Sequence, residues 1–260
     1  MFTVFFVGTA GSGKTTLVST FSEWLEREGY DVAIVNLDPA VDYLPYLADI
    51  DVRDIVSARK LAKKYKLGPN ASILAAVDSL IVNADKLREM IFSLGATYIL
   101  IDTPGQMEIF AFRGSGPMLI SRLSAERSAI VFVIDSVYAR SPSGFVSSML
   151  LSLSTQFRFN KPQVNVLNKI DLIDAQTLEQ ILSWCEEPEE LLNALKLESS
   201  ISTEQKLELA LTEKITEIIA TIGMTSRLIP VSAKTGQGLD ELYRVLHQIY
   251  IGGLDYDYVE

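Results

Sequence analysis

The sequence of 260 residues predicts an α/β fold of three layers, with a mostly parallel central sheet between two layers of helices. Six short, nearly continuous apolar runs alternate with helical patterns along the chain. Such runs are typical of strands that are buried on both faces of a parallel sheet. The six predicted strands cover residues 2–8, 30–38, 97–105, 128–136, 162–172 and 226–234.

Helical patterns, with apolar residues three and four positions apart, separate these strands. They predict helices over residues 14–28, 72–94, 144–157 and 239–250. The acidic, leucine-rich stretch 175–221 is interrupted by Pro188, so it predicts two or three helices inserted before the last strand. We interpret this stretch as a helical lobe on a single domain that covers residues 1–260.

The composition excludes several classes of protein. The chain is 48% hydrophobic and 22% charged, and it contains no run of the roughly 18 apolar residues that a membrane span requires. Its net charge of −10 opposes direct binding to nucleic acid, which requires clustered Lys and Arg. The single cysteine and an apolar amino terminus without a basic region predict a cytoplasmic protein without a membrane partner.

The segment "GTAGSGKT", residues 8–15, matches the phosphate-loop pattern G-x-x-x-x-G-K-[ST] and lies between the first predicted strand and the first helix. Glycines let backbone N–H groups wrap a phosphate chain, and the helix N-terminus adds a favourable dipole. We expect Lys14 to bridge the outer phosphates and the Thr15 hydroxyl to bind Mg²⁺. The other predicted contacts of this loop are Gly11, Ser12, Gly13 and Thr16.

Acidic residues follow two further predicted strands. Asp102 begins "DTPGQ", and Asp38 lies in "NLDPA". Because ligands of open α/β sheets bind at the carboxyl ends of strands, both acids are expected near Mg²⁺ or the attacking water. The backbone amide of Gly105, three residues after Asp102, is then free to contact a terminal phosphate.

Two other strand ends predict the base that is recognised. In "NKID", residues 168–171, the Asp171 carboxylate can accept from both the ring N–H and the exocyclic amine of guanine, whereas adenine offers neither. In "SAK", residues 232–234, the Ala233 amide can donate to the guanine carbonyl. The predicted guanine contacts are Asn168, Lys169, Asp171, Ser232, Ala233 and Lys234.

Together, the four motifs resemble those of the P-loop GTPases over residues 2 to about 250. Roughly 85 residues, including a strand, separate the phosphate loop from "DTPGQ". That interval resembles the dimeric branch that contains signal-recognition GTPases and MinD-like ATPases. The chain lacks the extra phosphate-loop lysine of MinD-like members, because Thr9 stands at that position.

The tripeptide Gly68-Pro69-Asn70, taken with the other motifs, closely resembles the GPN-loop GTPases. The resemblance implies hydrolysis of GTP to GDP and phosphate with Mg²⁺, by a homodimer in which each GPN loop enters the partner's site. It implies that Asn70 contacts the terminal phosphate or metal, and that Gln106 and Glu108 orient or activate water. A structural alternative is that Pro69 presets a turn while Asn70 caps a helix that begins near Ser72.

The biological role stays open at this stage. Eukaryotic members of the resembling family assist assembly and nuclear delivery of RNA polymerase, which implies protein clients. The compact chain and short tail look more like an archaeal member, whose client the resemblance does not imply. Two other classes are a nucleotide-locked scaffold without turnover and a P-loop kinase, and "NKID" and "SAK" argue against the kinase.

Overall fold

The computed structural model of the protein describes residues 1–199, 214–219 and 227–255. Its sheet has seven strands, all parallel, in the order β3-β2-β4-β1-β5-β6-β7. The strands are β1 (Phe2–Val7), β2 (Val32–Asn36), β3 (Ile50–Asp51), β4 (Tyr98–Asp102), β5 (Arg127–Asp135), β6 (Gln163–Asn168) and β7 (Leu228–Pro230). The predicted α/β fold with a parallel sheet is confirmed.

Thirteen α-helices surround or extend this sheet within the described ranges. They are α1 (Lys14–Arg27), α2 (Val52–Ile55), α3 (Ala58–Tyr65), α4 (Pro69–Val82), α5 (Ala84–Ser93), α6 (Met107–Phe110), α7 (Ser115–Leu123), α8 (Ser136–Ala139), α9 (Pro142–Phe159), α10 (Ala175–Glu186), α11 (Pro188–Ser199), α12 (214–219) and α13 (Leu239–Asp255). A 3₁₀ helix, Ile170–Leu172, follows β6.

The three layers follow from the alternation of side chains along the strands. All six residues of β1 are buried. Its Val4 and Phe6 join the core formed with α1 and α13, whereas Phe5 and Val7 join the core formed with α4, α5, α7 and α9. A central strand with apolar side chains on both faces must be covered on both faces, which explains why its sequence reads as an uninterrupted apolar run.

Three expectations about the elements need correction. The run 162–172 is a strand only as far as Asn168. The single helix expected over 72–94 is two helices, because Asn83 ends α4, donates from its side chain to the Ser79 carbonyl at 2.9 Å, and begins α5. The two-residue strand β3 was not predicted, since it is too short to produce a hydrophobic pattern.

The predicted insertion begins with two helices, α10 and α11, and the break falls at Pro188 as expected. The Trp184 ring packs against Phe145 of α9, with ring centroids 5.6 Å apart. The Glu198 carboxylate accepts hydrogen bonds of 2.9 Å from both the amide and the hydroxyl of Ser143 at the start of α9. Residues 200–213 and 220–221 of the predicted lobe lie outside the described residues, and its treatment as part of one domain stays a prediction.

None of the helices in the described ranges is both long and apolar enough to cross a lipid bilayer.

Candidate functional site

The register of the sheet brings the predicted strand ends to one edge. Asp102, the last residue of β4, pairs with Phe6 of β1 on one side and with Asn36 of β2 on the other. On the far side of β1, Asp135 of β5 pairs with Asn168 of β6. Because all strands run parallel, the loops that follow them lie together, as expected for a ligand site at the carboxyl edge.

The phosphate loop needs glycine at two positions for different reasons. Gly13 caps α1 in the left-handed conformation, with φ of 92°, and a Cβ there would lie 2.4 Å from Nδ2 of Asn168. A Cβ on Gly8 would lie 2.4 Å from the Val133 carbonyl oxygen. The loop is therefore pressed against β5 and the last residue of β6, and only glycine fits these contacts.

A cavity of about 270 Å³ lies between the phosphate loop and the loops after β2 and β4. Those three segments are far apart in sequence and each was predicted to hold part of one site. The predicted residues that line the cavity are Gly11, Lys14, Thr15, Asp38, Gly105 and Gln106. The structure thus brings predicted contacts from all three segments to one space.

Lys14 is held in the cavity as a buried ammonium group. Its residue is 5% exposed, and Nζ donates to the Thr9 carbonyl oxygen at 2.8 Å. Burial lowers the pKa of Lys14, while the negative charges of Asp102 and Asp38 oppose the decrease. A cation that has lost most of its hydration favours an anionic ligand, and a phosphate group satisfies that requirement.

The ionised forms of the two predicted acids, Asp38 and Asp102, are also destabilised when no cation is nearby. Burial raises the pKa of Asp102 to about 6, although the hydroxyls of Thr15 and Tyr46 and the Lys14 ammonium oppose the increase. Burial also raises the pKa of Asp38, against the effect of the Ala40 amide, which donates to Oδ1 at 2.8 Å. Within the described parts of the chain, no hydrogen bond reaches Oδ1 of Asp102.

The Asp38 loop is fixed by a polar network that the sequence analysis missed. The buried Asn36 accepts from the Asp38 amide at 2.9 Å and donates to Oδ1 of Asp51 at 3.0 Å. Arg53 binds both oxygens of Asp51 through Nε and donates from Nη1 to the Val41 carbonyl at 3.1 Å. The only sequence signal for this network is an Asp and an Arg two positions apart, which is too common a pattern to interpret alone.

Gln106 directly precedes α6, and its backbone carbonyl accepts from the amides of Ile109 and Phe110. Its side-chain oxygen Oε1 is buried and, as far as the chain is described, has no hydrogen-bond partner. A buried unpaired acceptor at a cavity suits a hydrogen bond to a water molecule or ligand. Glu108 lies on α6, but its side chain is outside the described part; Thr16 is exposed on α1.

Asn168 connects the loop after β7 to the phosphate loop through hydrogen bonds. Its Nδ2 donates to the Ser12 carbonyl at 2.9 Å, and its Oδ1 accepts from the Ala233 amide at 3.0 Å. The Ser232 hydroxyl donates to Oδ1 of Asp171 at 2.6 Å, which orients an otherwise exposed carboxylate. The Ala233 amide was predicted to donate to the guanine carbonyl. Here it already donates to Asn168, so it must share this hydrogen bond or give it up when a base binds.

Lys169 has a partner that was not predicted. Its backbone is in the left-handed region with φ of 66°, and its Nζ lies 2.7 Å from Oδ2 of Asp135 at the end of β5. The other oxygen of Asp135 caps α8 by accepting from the Val137 amide at 2.9 Å. A Cβ on Gly13 would lie 3.7 Å from Cε of Lys169, so the lysine stem crosses the phosphate loop. Lys234, by contrast, is exposed.

The GPN tripeptide forms the start of α4. Gly68 is the N-cap, Pro69 is the first helical residue, and the Asn70 side chain makes no hydrogen bond to any described residue. The alternative in which Asn70 caps a helix near Ser72 is therefore wrong. Ile73 lines the 270 Å³ cavity. Since three helical residues rise about 4.5 Å, the exposed Asn70 lies about one helical turn from a residue that lines its own chain's cavity.

A glycine loop at a helix N-terminus, with a buried lysine and acids at the carboxyl edge of a parallel sheet, is the arrangement of P-loop nucleotide-binding proteins. A family model described as "Conserved hypothetical ATP binding protein" matches residues 6–251. The GPN-loop GTPase PAB0955 of Pyrococcus abyssi is 33% identical over 249 residues, which are 95% of this chain and 96% of that relative. The chain belongs to the GPN-loop GTPase family.

A solved structure supports the fold. The crystal structure of PAB0955, described as a GTPase in apo form from Pyrococcus abyssi, has a TM-score of 0.84 at 31% identity, covering 96% of this chain and 97% of that one. Two relatives are longer: GPN-loop GTPase 1 of Dictyostelium discoideum (31% identical) and of Schizosaccharomyces pombe (32% identical). Matches cover 91% and 90% of this chain but only 58% and 65% of those proteins.

We expect the Asp135→Asn variant to bind GDP roughly 5- to 30-fold more weakly, because it removes the anion that holds Lys169, a cost of about 1–2 kcal/mol for this partly buried pair. Asparagine can still cap α8, so thermal unfolding should change little. Fluorescence titration with a labelled GDP measures the effect. Asp174→Asn, at the exposed cap of α10, is the matched control. Equal GDP affinity in Asp135→Asn and native protein would contradict the role of Asp135.

Proposed function

We propose that this protein binds GTP and hydrolyses it to GDP and phosphate. The observation that carries this proposal is the 270 Å³ cavity in which Lys14, Thr15, Asp38 and Gln106 meet beside the phosphate loop. This set provides a cation for the phosphates, oxygen ligands for a metal and an acceptor for water. Phosphoryl transfer to water requires little more than such positioning and charge neutralisation.

Recognition of guanine rests on the loops after β6 and β7. The family model's description refers to ATP, whereas the names of the relatives refer to GTP. The geometry at Asp171 favours guanine, because the Ser232 hydroxyl orients one carboxylate oxygen and leaves the exposed carboxylate able to accept from N–H donors. Adenine has no two adjacent donors on that edge, so it would leave the acid unpaired.

The residues present fit a Mg²⁺ ion. Asp102 has a buried oxygen that lacks a partner among the described residues. Thr15, whose hydroxyl interacts with Asp102, and Asp38 both line the 270 Å³ cavity. No cluster of three or more His, Cys, Asp or Glu side chains in the described ranges could hold a metal alone. Mg²⁺ commonly takes one or two carboxylates and completes its shell with phosphate oxygens and water. When bound, it would neutralise charge on the phosphates.

Hydrolysis then depends on orientation of the attacking water. The unpaired Oε1 of Gln106 can accept a hydrogen bond from that water, while Lys14 gives up the Thr9 carbonyl to bind the outer phosphates. Asp38, whose amide is held by Asn36, lines the same cavity and can bind the same water or the metal. Glu108 remains a predicted second contact to water.

We expect Gln106→Ala to lower kcat for GTP roughly 100-fold, because the water loses its orienting acceptor, and to leave the Kd for GTP nearly unchanged. A multiple-turnover phosphate-release assay and a nucleotide titration measure the two quantities. Gln180→Ala, at an exposed position on α10, is the control. If native protein binds GTP without turnover, it is a nucleotide-locked scaffold. If small phosphate acceptors accelerate GTP consumption, it is a P-loop kinase.

We further propose that the protein is a homodimer with composite sites, in which Asn70 of each GPN loop reaches the partner's nucleotide. The exposed Asn70 side chain, which makes no hydrogen bond within the described chain, supports this role. Its closeness to its own cavity leaves a second arrangement, in which Asn70 serves its own subunit. The two arrangements differ in what mixed dimers do.

We expect a mixed dimer of an Asn70→Ala subunit and a Lys14→Ala subunit to recover roughly half of the native GTPase activity. If Asn70 acts on the partner, the subunit with Asn70→Ala keeps its own Lys14 and receives Asn70 from its neighbour, so one of the two sites is intact. Separate affinity tags isolate the mixed dimer and prove subunit exchange. No recovery would mean that Asn70 serves its own subunit, since each site would then lack one residue. Native activity in the Asn70→Ala homodimer would mean that Asn70 has no role.

We also propose, from the family resemblance, that the protein is a nucleotide switch for protein clients. Such a switch could act in assembly of a macromolecular complex such as RNA polymerase. Pull-down of polymerase subunits with GDP and with a non-hydrolysable GTP analogue tests it. Binding that is the same with either nucleotide, or absent with both, would contradict a switch acting on that client.

A further inference from the structure

We propose that Tyr46 is a positioning residue that holds the Asp102 carboxylate in one orientation, so that its other oxygen stays available to the Mg²⁺–nucleotide complex. This inference rests on the proposed function and concerns a residue outside the recognised motifs. It assigns a purpose to the segment between β2 and β3, which crosses the edge of the site.

The geometry of Tyr46 is that of a fixed donor. Its hydroxyl donates to Oδ2 of Asp102 at 2.9 Å, and Asp102 itself is only 2% exposed. The Tyr46 ring is half-buried and packs against the core beneath α1 and α13. A tyrosine hydroxyl carries its proton at neutral pH, so it acts as the donor in this bond.

The bond occupies only one side of the carboxylate. Oδ1 of Asp102 is buried and has no hydrogen-bond partner within normal distance in the described ranges, although the Thr15 hydroxyl interacts with the same carboxylate. To prevent metal binding, the tyrosine would have to occupy both carboxylate oxygens of Asp102. A donor on one oxygen instead fixes the plane of the carboxylate, which is how groups behind metal ligands tune the site.

The same segment contains a matched control. Tyr43, three residues earlier, is 77% exposed, and its hydroxyl bonds to nothing in the described chain. Tyr43→Phe and Tyr46→Phe remove the same atom from the same segment, so only the contact to Asp102 distinguishes them.

The test measures Mn²⁺, a paramagnetic substitute for Mg²⁺, in the full-length protein with GDP. The electron paramagnetic resonance signal of free Mn²⁺ decreases as the ion binds, which gives its Kd without any turnover. We expect Tyr46→Phe to raise this Kd roughly 10-fold and Tyr43→Phe to leave it unchanged. GDP affinity in EDTA, measured in parallel, should be native in both variants, since the hydroxyl acts on the carboxylate and not on the nucleotide.

Three results with the Tyr46→Phe variant would overturn the inference. In the first, the Mn²⁺ Kd of Tyr46→Phe equals that of native protein. In the second, it is lower, which would mean that Tyr46 hinders metal binding. In the third, GDP affinity in EDTA falls in parallel, which would mean that the substitution disturbs folding. Failure of the proposed function looks different, because native protein would then not bind GDP in EDTA at all. If native protein binds GDP but takes up no Mn²⁺, the metal site is wrong and the inference falls with it.

Discussion

The parallel register of the strands is the constraint on which the site depends. β1 lies between β4 and β5, and its pairing sets Phe6 level with Asp102 and with Val131. A slip of one residue would turn every side chain of a strand to the opposite face, which two apolar cores forbid. The register is therefore fixed by burial, and the polar residues that follow each strand meet at one edge as a consequence.

Burial of charge is the second feature, and it follows from the first. Lys14, Asp38 and Asp102 are buried where little water reaches them. Desolvation favours the neutral form of each group: it lowers the pKa of Lys14 and raises the pKa of Asp38 and of Asp102. Part of that cost is offset by the attraction between Lys14 and the two acids and by donors such as Tyr46, although the two acids repel each other. A ligand that brings phosphates together with a cation would stabilise the charged form of all three groups. The phosphates offer a negative charge to Lys14, and the cation offers a positive charge to the two acids.

Strand ends and loops could be predicted from the sequence, because each depends on a local pattern: an apolar run followed by glycine, aspartate or asparagine. The phosphate loop, Asp38, Asp102 and Asn168 were found this way. Contacts between segments could not be predicted. Asp135 was overlooked because its partner Lys169 is 34 residues away, and Tyr46 because its bond to Asp102 spans 56 residues. Nor could the sequence reveal that Asn168 engages the Ala233 amide, which depends on how two loops pack.

The most direct test of the account is the relative affinity of the native protein for GTP and ATP, measured by competition against one labelled nucleotide. A site that pairs Asp171 with guanine and leaves it unpaired with adenine predicts roughly 10⁴-fold tighter binding of GTP. Equal affinities would contradict the central claim that these strand ends form a guanosine triphosphate site.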